Sequence, residues 1–437
     1  MTQHSRIRRS ASPGVVLLAA LTGVTLAGCA AGGSGGGNGS GSGSGSGGDA
    51  ESFTLGVPIT EAGDSPYQLI ADAYMEENPD VTIELKELPN DGFAQALNTQ
   101  LQSGSAPDVF YVQPGSGNTQ SVIPYAETGY LEPLTGTATE DIVPESSKGD
   151  LYFEDELYAH PLDLSVISAV VNQTAAEEVG FEMPETFDEL LESCQAVADE
   201  GKSVFVVAGT APPNTGLTAM LLAASRVYAE NPDWNAQRAA GEVTFAEDQG
   251  WQDTLQAILD MKDAGCFQPG AEGGDFAAIT NGLGQGTSLA GFIPSGAAFG
   301  LGAEAPDSEF NVQAVPAEDP ANTVISASAN NALGINAKSE KKEAAKAFFE
   351  WLAQPENAAK YAEGSGNLPI VGLDTAALPP QYAPIAEYLD EERFISLPNA
   401  TWANGEVYTN LGVGVQGLLT GQATIEQVLQ SMDQAWG

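Results

Sequence analysis

Histidine is nearly missing from this chain: His4 and His160 are the two among 437 residues. A Ser-His-Asp or Cys-His enzyme, or a zinc site with several imidazole ligands, would have to be built on His160 alone, because His4 falls in a segment expected to be removed. Basic residues are scarce too. Fifteen Lys and Arg stand against 59 Asp and Glu, a formal charge of -44 that repels nucleic-acid phosphates and anionic membrane surfaces. Nucleic acid is thereby excluded as a partner. A calcium loop of the form Asp-x-Asp-x-Asp-Gly is absent and soft-metal ligands are few, so neither a metal site nor a cofactor is expected. What is present is apolar mass: 42% hydrophobic and 8% aromatic residues, enough for the cores of two domains.

The amino terminus carries Arg6, Arg8 and Arg9 and then an almost wholly apolar run over residues 15–27, too short to serve as a permanent bilayer span. This is the pattern of a secretion signal. Leu26-Ala27-Gly28-Cys29 resembles the lipobox of bacterial lipoproteins, which implies cleavage after residue 28 and a diacylated Cys29. The alternative is an ordinary signal peptide with an incidental cysteine. Removal of residues 1–28 leaves 12 basic against 59 acidic residues, a charge of -47. Residues 32–48 are almost entirely Gly and Ser, which bury nothing and form a flexible tether. Its root-mean-square reach is roughly 25 Å, so residues 29–50 are expected to hold the body near the outer face of the membrane.

The body alternates strand and helix patterns. Phe53 to Val57 is a short apolar strand, Ser65-Pro66 supplies an N-cap and a first-turn proline, and Tyr67, Ile70 and Tyr74 share one helix face. Val81, Ile83 and Leu85 alternate with polar residues; Phe93, Leu97 and Leu101 recur every four residues up to Gly104; Val109 to Val112 is apolar again. That is βαβαβ. Thr186 and Glu189 form a capping box, and Val204 to Ala208 has the composition of a buried strand. The class expected is α/β with mostly parallel sheets flanked by helices.

Several segments, in chain order, are similar to extracellular solute-binding proteins of family 1, the sugar-binding subunits of ABC importers. Gln102-Ser103-Gly104-Ser105-Ala106-Pro107-Asp108-Val109-Phe110 resembles the family's "aaGsaPDvf" segment. Gly129 to Leu134, Leu157-Tyr158-Ala159-His160-Pro161, Val171-Asn172 with Met183 to Leu190, Ile335 to Leu352, Gly366-Asn367-Leu368-Pro369 and Leu419 to Thr424 resemble later family segments. Phe187 stands where the family usually has Trp, and Val171 where it usually has Tyr. The resemblance implies the two-lobe, type II periplasmic-binding-protein-like fold, with a hinge of crossing strands near His160 to Ser165, near Ser326 to Leu333 and after Pro369. It implies one lobe from residues 51–163 with 332–370 and another from 164–331 with 371–437. It further implies a monomer without enzymatic activity that holds a sugar between the lobes and hands it to ABC importer permease subunits. A receptor for a peptide, polyol, glycerol phosphate or metal is the alternative. A glycoside hydrolase is the remote one, since 59 carboxylates make an accidental pair uninformative.

A sugar presents apolar C–H faces and a rim of hydroxyls, so its site needs an aromatic platform with Asp, Glu, Asn or Gln around it. Trp402, in a polar, turn-rich stretch, is the expected platform, against a role in local packing. Asp163, Asn330, Asn331 and Asn367 fall at the three crossings, although Asx residues at bends also bond their own backbone. Glu61, Asp64, Gln113 and Asn214 follow strand ends, where open α/β sheets bind ligands. Cys194 and Cys266 are the cysteines that remain in an exported chain once Cys29 is lipidated, and they are expected to pair.

Overall fold

The computed structural model describes residues 52–59, 65–89, 92–117 and 120–437. The signal segment, Cys29, the tether, Glu61 and Asp64 lie outside the described residues. Local chemistry sets the first elements as the sequence suggests. Strand β1 (Phe53–Pro58) leads to the helix Pro66–Glu77, where the Ser65 side chain accepts from the Gln68 N–H and Pro66 opens the first turn. Strand β2 (Ile83–Leu88) is followed by the helix Phe93–Ser103, which buries Phe93, Leu97 and Leu101 and stops at Gly104 with φ 74°. A left-handed residue there satisfies the last carbonyls without a Cβ penalty. Strand β3 (Val109–Val112) completes βαβαβ, with β1 pairing parallel to both neighbours.

A small hairpin, β4 (Tyr152–Phe153) and β5 (Glu156–Leu157), precedes the first passage between sheets. Strand β6 (His160–Pro161) belongs to the first sheet, and β7 (Asp163–Asn172), buried along its whole length, begins the second. Strand β8 (Ser203–Val206), β9 (Ser288–Pro294), β10 (Phe310–Gln313) and β11 (Ile325–Ala329) extend the second sheet. The chain then returns as β12 (Ala332–Ile335), leaves again through β13 (Leu368–Pro369), and adds β14 (Phe394–Ile395). The first sheet runs β2-β1-β3-β12-β6; the second runs β14-β11-β7-β9-β8, with β10 and β13 also on β7.

Parallel pairing is confined to part of this scheme. In the second sheet β7 pairs antiparallel with β9, β10, β11 and β13, and only β8–β9 and β11–β14 are parallel. For β11 the reason is geometric: β7 carries the chain out of the first sheet and β11 carries it back, so side by side they must run in opposite senses. The same two passages pair as β6–β12 in the first sheet and as β7–β11 in the second.

Two apolar clusters support the sheets. One contains Phe53, Leu55, Phe110, Phe348 and Phe349 around the first sheet; the other contains Leu190, Phe205, Trp234, Trp251 and Phe292 in the second lobe. Thr186 and Glu189 form the expected reciprocal cap of the helix Phe187–Asp199. Cys194 on that helix and Cys266, beyond the helix Gln249–Asp263, form a disulfide with their Cα atoms 4.6 Å apart. Among the described residues no helix is long and apolar enough to cross a membrane.

Candidate functional site

The three passages between the sheets come together at Asp163. Its carboxylate Oδ2 accepts from Nδ2 of Asn331, on the second passage, at 2.9 Å, and from Nδ2 of Asn367, on the third, at 2.8 Å. These three residues, chosen from sequence as separate ligand contacts, are joined to one another. Asp163 is fully buried, and burial pushes its carboxyl up to about 6; the two side-chain amides and the nearby backbone of Asn331 and Asn330 offset this only in part. Four phenols from distant parts of the chain, Tyr67, Tyr111, Tyr361 and Tyr382, lie close enough to feel its charge. Burial raises each of them first, and the Asp163 carboxylate adds to the rise. Tyr67 packs edge-on against Tyr361 at 5.4 Å and against Tyr111 at 6.5 Å. The polar path continues outward: Ser295 donates to Asn367 Oδ1 at 3.4 Å, and the Tyr382 hydroxyl lies 2.8 Å from the carbonyl of Gly366 and 2.9 Å from Ser295 Oγ.

Two of the expected ligand residues are scaffold instead. Asn214 is 1% exposed; its Oδ1 accepts from Ala208 N–H and its Nδ2 donates to the Phe292 carbonyl, so both ends of the amide are spent fastening the loop after β8. Trp402 is also 1% exposed. Its ring packs among Phe245, Trp251 and Trp436, and its indole N–H donates to Asn235, which leaves no face for a ligand. Gln113 is half-buried at the exit of β3, with its backbone engaged by Gln120 and Val122. Asn330 is half-buried beside Asp163.

The ring that does face solvent is Phe276. Its side chain is 55% exposed, unlike the buried and half-buried rings described above. It opens the helix Phe276–Gly284, capped by Asp275, and its position is set by the loop after β8. Gly209 N–H donates to the Ala271 carbonyl, and Thr210 donates to the Gly274 carbonyl through both its N–H and its hydroxyl. The fit is close: a Cβ on Gly209 would fall 2.2 Å from the Ala271 carbonyl oxygen. Half-buried Tyr408 donates its hydroxyl at 2.7 Å to the carbonyl of Pro213, in the first turn of the helix Pro212–Ala223 that follows this loop. Phe276 is thus tied through residues 271–274 to the loop after β8, and Tyr408 through Pro213 to the helix that follows that loop. In the sequence both sit in ordinary helical patterns, and the only available clue was a large apolar residue directly after an N-cap.

Opposite, the exit of β3 reaches the second lobe. Ser116 N–H donates to the Ala400 carbonyl at 2.9 Å, and its hydroxyl donates to the Trp402 carbonyl at 3.0 Å. Beside this contact a cavity of about 820 Å³ lies between residues 144–150 and residues 228–235 and 392–401. Asp150 lines it at 2% exposure, and burial pushes its carboxyl up to about 7, with Ser396 offsetting the rise in part. His160 shows the opposite shift: burial holds its imidazole down to about 3, while Nδ1 is 2.8 Å from the Thr139 hydroxyl and the ring stacks on Phe349.

These shifts predict opposing pH effects. Asp150 and Asp163 hold protons more tightly folded than unfolded, so their contributions to stability are complete below the ordinary carboxyl range and are lost as pH rises through about 6 to 7. The His160 contribution is present above 6.5 and is lost as pH falls toward 3. Asp150→Asn is accordingly expected to melt several degrees above the wild type at about pH 8.5 and level with it at about pH 4, as read by thermal unfolding at the two values.

Two sheets joined by three adjoining passages, with the exit of β3 bonded to residues 400–402 of the second lobe, define a two-lobed solute-binding architecture. The comparisons agree with that class. Residues 58–359 match the model of the bacterial extracellular solute-binding protein family, and the chain belongs to that family. Multiple sugar-binding protein of Streptococcus mutans is 26% identical over 147 residues, about a third of the length of each protein. RafE of Streptococcus pneumoniae in its apo form superposes with a TM-score of 0.72 at 19% identity over 88% of this chain and 97% of that one, and the RafE–raffinose complex with 0.70 at 18% over 88% and 98%. The GacH receptor of Streptomyces glaucescens, solved unliganded and with acarbose, gives 0.68 at 18% over 88% and 97%. These likenesses establish the type II solute-binding fold.

Proposed function

We propose that this protein captures a sugar or oligosaccharide between its lobes at the outer face of the membrane, anchored through a lipidated Cys29, and delivers it as a monomer to an ABC importer without chemical change. The observation that carries the reading is Phe276, an exposed ring on the helix pinned to the loop after β8, in a chain whose passages between lobes gather amides, a carboxylate and phenols. A flat aromatic face suits the apolar side of a pyranose, and amide and carboxylate groups suit its hydroxyls. Relatives named for multiple sugars, raffinose and acarbose support the same class. Ligand binding would favour one arrangement of the lobes over another, the difference in affinity supplying the energy.

A thermal-shift screen of the purified chain against mono- and oligosaccharides, polyols, peptides and metals tests this. Raffinose-class sugars are expected to raise the melting temperature, because a ligand that binds only the folded form stabilises it. A shift with peptides or metals alone would replace the reading. Release of hydrolysis products from any oligosaccharide would point to an enzyme.

A further inference from the structure

The polar side chains at the passages meet in one atom. Asp163 Oδ2 takes an amide hydrogen from Asn331 and another from Asn367, so the first, second and third passages are pinned at a single oxygen. The backbone repeats the convergence. Leu162 N–H donates to the Asn331 carbonyl at 2.9 Å, and β13 sets Pro369 opposite Asp163 in the second sheet.

Such a clasp is an expensive way to hold a fold together. Asp163 is fully buried, and its second oxygen, Oδ1, is buried with no hydrogen bond among the described residues. The backbone of Asn330 and Asn331 offsets that burial only in part, and a neutral, well-packed group in such a place is often as stable or more so. Groups that cost stability and persist are found where a protein needs motion or chemistry, and this one sits on the segments about which two lobes would turn.

We propose that Asp163 is a positioning residue for ligand capture: its Oδ2, gripped by Asn331 and Asn367, is the shared fulcrum of the three passages, and the strength of that grip sets how narrowly the lobes are held before a sugar arrives. The affinity part of this proposal rests on the sugar-receptor reading; the lobe-position part does not. Charge makes the two amide bonds stronger than those to a neutral oxygen. Loosening them spreads the lobes over more arrangements, and the share competent to bind falls.

The test places spin labels on exposed Gln102→Cys in the first lobe and Glu192→Cys in the second, in a Cys29→Ser chain, and measures their distance distribution with and without raffinose. Asn331→Ala combined with Asn367→Ala is expected to broaden the ligand-free distribution, to regain the wild-type distance at saturating raffinose, and to lose affinity about tenfold. Asp163→Asn keeps the shape and one acceptor oxygen. It is expected to broaden the distribution less while raising the melting temperature above neutral pH, a combination that a merely structural clasp would not give. Phe276→Ala, by contrast, lowers affinity and leaves the ligand-free distribution unchanged. If the double variant does not fold, Asp163→Asn decides alone. Ligand-free distributions identical to wild type in the folded variants would overturn the proposal. A wild type that binds no saccharide would sink the sugar reading while the ligand-free distributions still decided the fulcrum.

Discussion

Phe276→Ala is expected to weaken saccharide binding tenfold or more and to leave the melting temperature of the free protein within about a degree of wild type. Stacking on an aromatic face contributes about 0.5–1.5 kcal/mol beyond the area it buries, and each 1.4 kcal/mol is a factor of ten in affinity. The ring is 55% exposed, so its removal opens no cavity and breaks no core contact. Phe276→Tyr and Phe276→Trp keep a flat face and are expected to stay within a few fold of wild type. Titration calorimetry with raffinose and longer oligosaccharides checks all three. If Phe276→Ala binds as tightly as wild type, the platform lies elsewhere, and Tyr408 is the next ring to remove, being held by its bond to Pro213 at the start of the helix after that loop. The paired measurement matters, because a loss of affinity accompanied by a loss of stability would mean that Phe276 supports the loop rather than the ligand.

The contrast between Trp402 and Phe276 shows where sequence is a weak guide. A tryptophan in the stretch Asn399-Ala400-Thr401-Trp402-Ala403-Asn404 sits among turn formers, and nothing local says that Phe245, Trp251 and Trp436 close around it. Those partners come from the turn and helix around residues 245–251, some 150 positions away, and from the last helix. Phe276 has the reverse history. It looks like the first apolar residue of an ordinary helix, and its exposure follows from the pinning of residues 271–274 to the loop after β8, a contact across some sixty positions. Features set within one turn or one strand were legible: the Ser65 cap, the Thr186–Glu189 box, the stop at Gly104 and the βαβαβ order. The family resemblance pointed to passages near Asp163 and Asn331, but it set the third after Pro369, whereas Leu368–Pro369 already pairs with β7 in the second sheet and the passage comes before it, at Asn367. What the sequence could not disclose was that the three side chains bond one another, because which oxygen receives which amide depends on the register of β13 on β7. The mixed second sheet was hidden for the same reason: β11 runs against β7 because the chain returns through it to the first sheet, and a short apolar run has no direction of its own.

Removing the disulfide should produce the largest change in stability of any substitution considered. Cys194 and Cys266 close a loop with a sequence separation of 72 and are both fully buried. In the chain-entropy model a loop of that length contributes about 4 kcal/mol by restricting the unfolded chain. Cys194→Ala with Cys266→Ala is therefore expected to lower the melting temperature by roughly ten degrees, since each kcal/mol moves a domain of this size by about 2–4 °C. The effect should be confined to stability at ambient temperature. The bridge ties the helix Phe187–Asp199 to the segment from which the Cys266 carbonyl accepts the Phe205 N–H, on the side of β8 that faces the second-lobe core, while Phe276 and the Asp163 clasp are held by other contacts. Affinity for sugar should accordingly survive wherever the variant is folded. Alkylation of the unfolded, unreduced chain followed by mass measurement tests the premise: neither Cys194 nor Cys266 should take up reagent until a reductant is added. Two thiols modified without reductant would remove the bridge from the account. In that case the double alanine variant should lose only the truncation cost of two small core side chains, without the loop-closure contribution, and its melting temperature should fall by less.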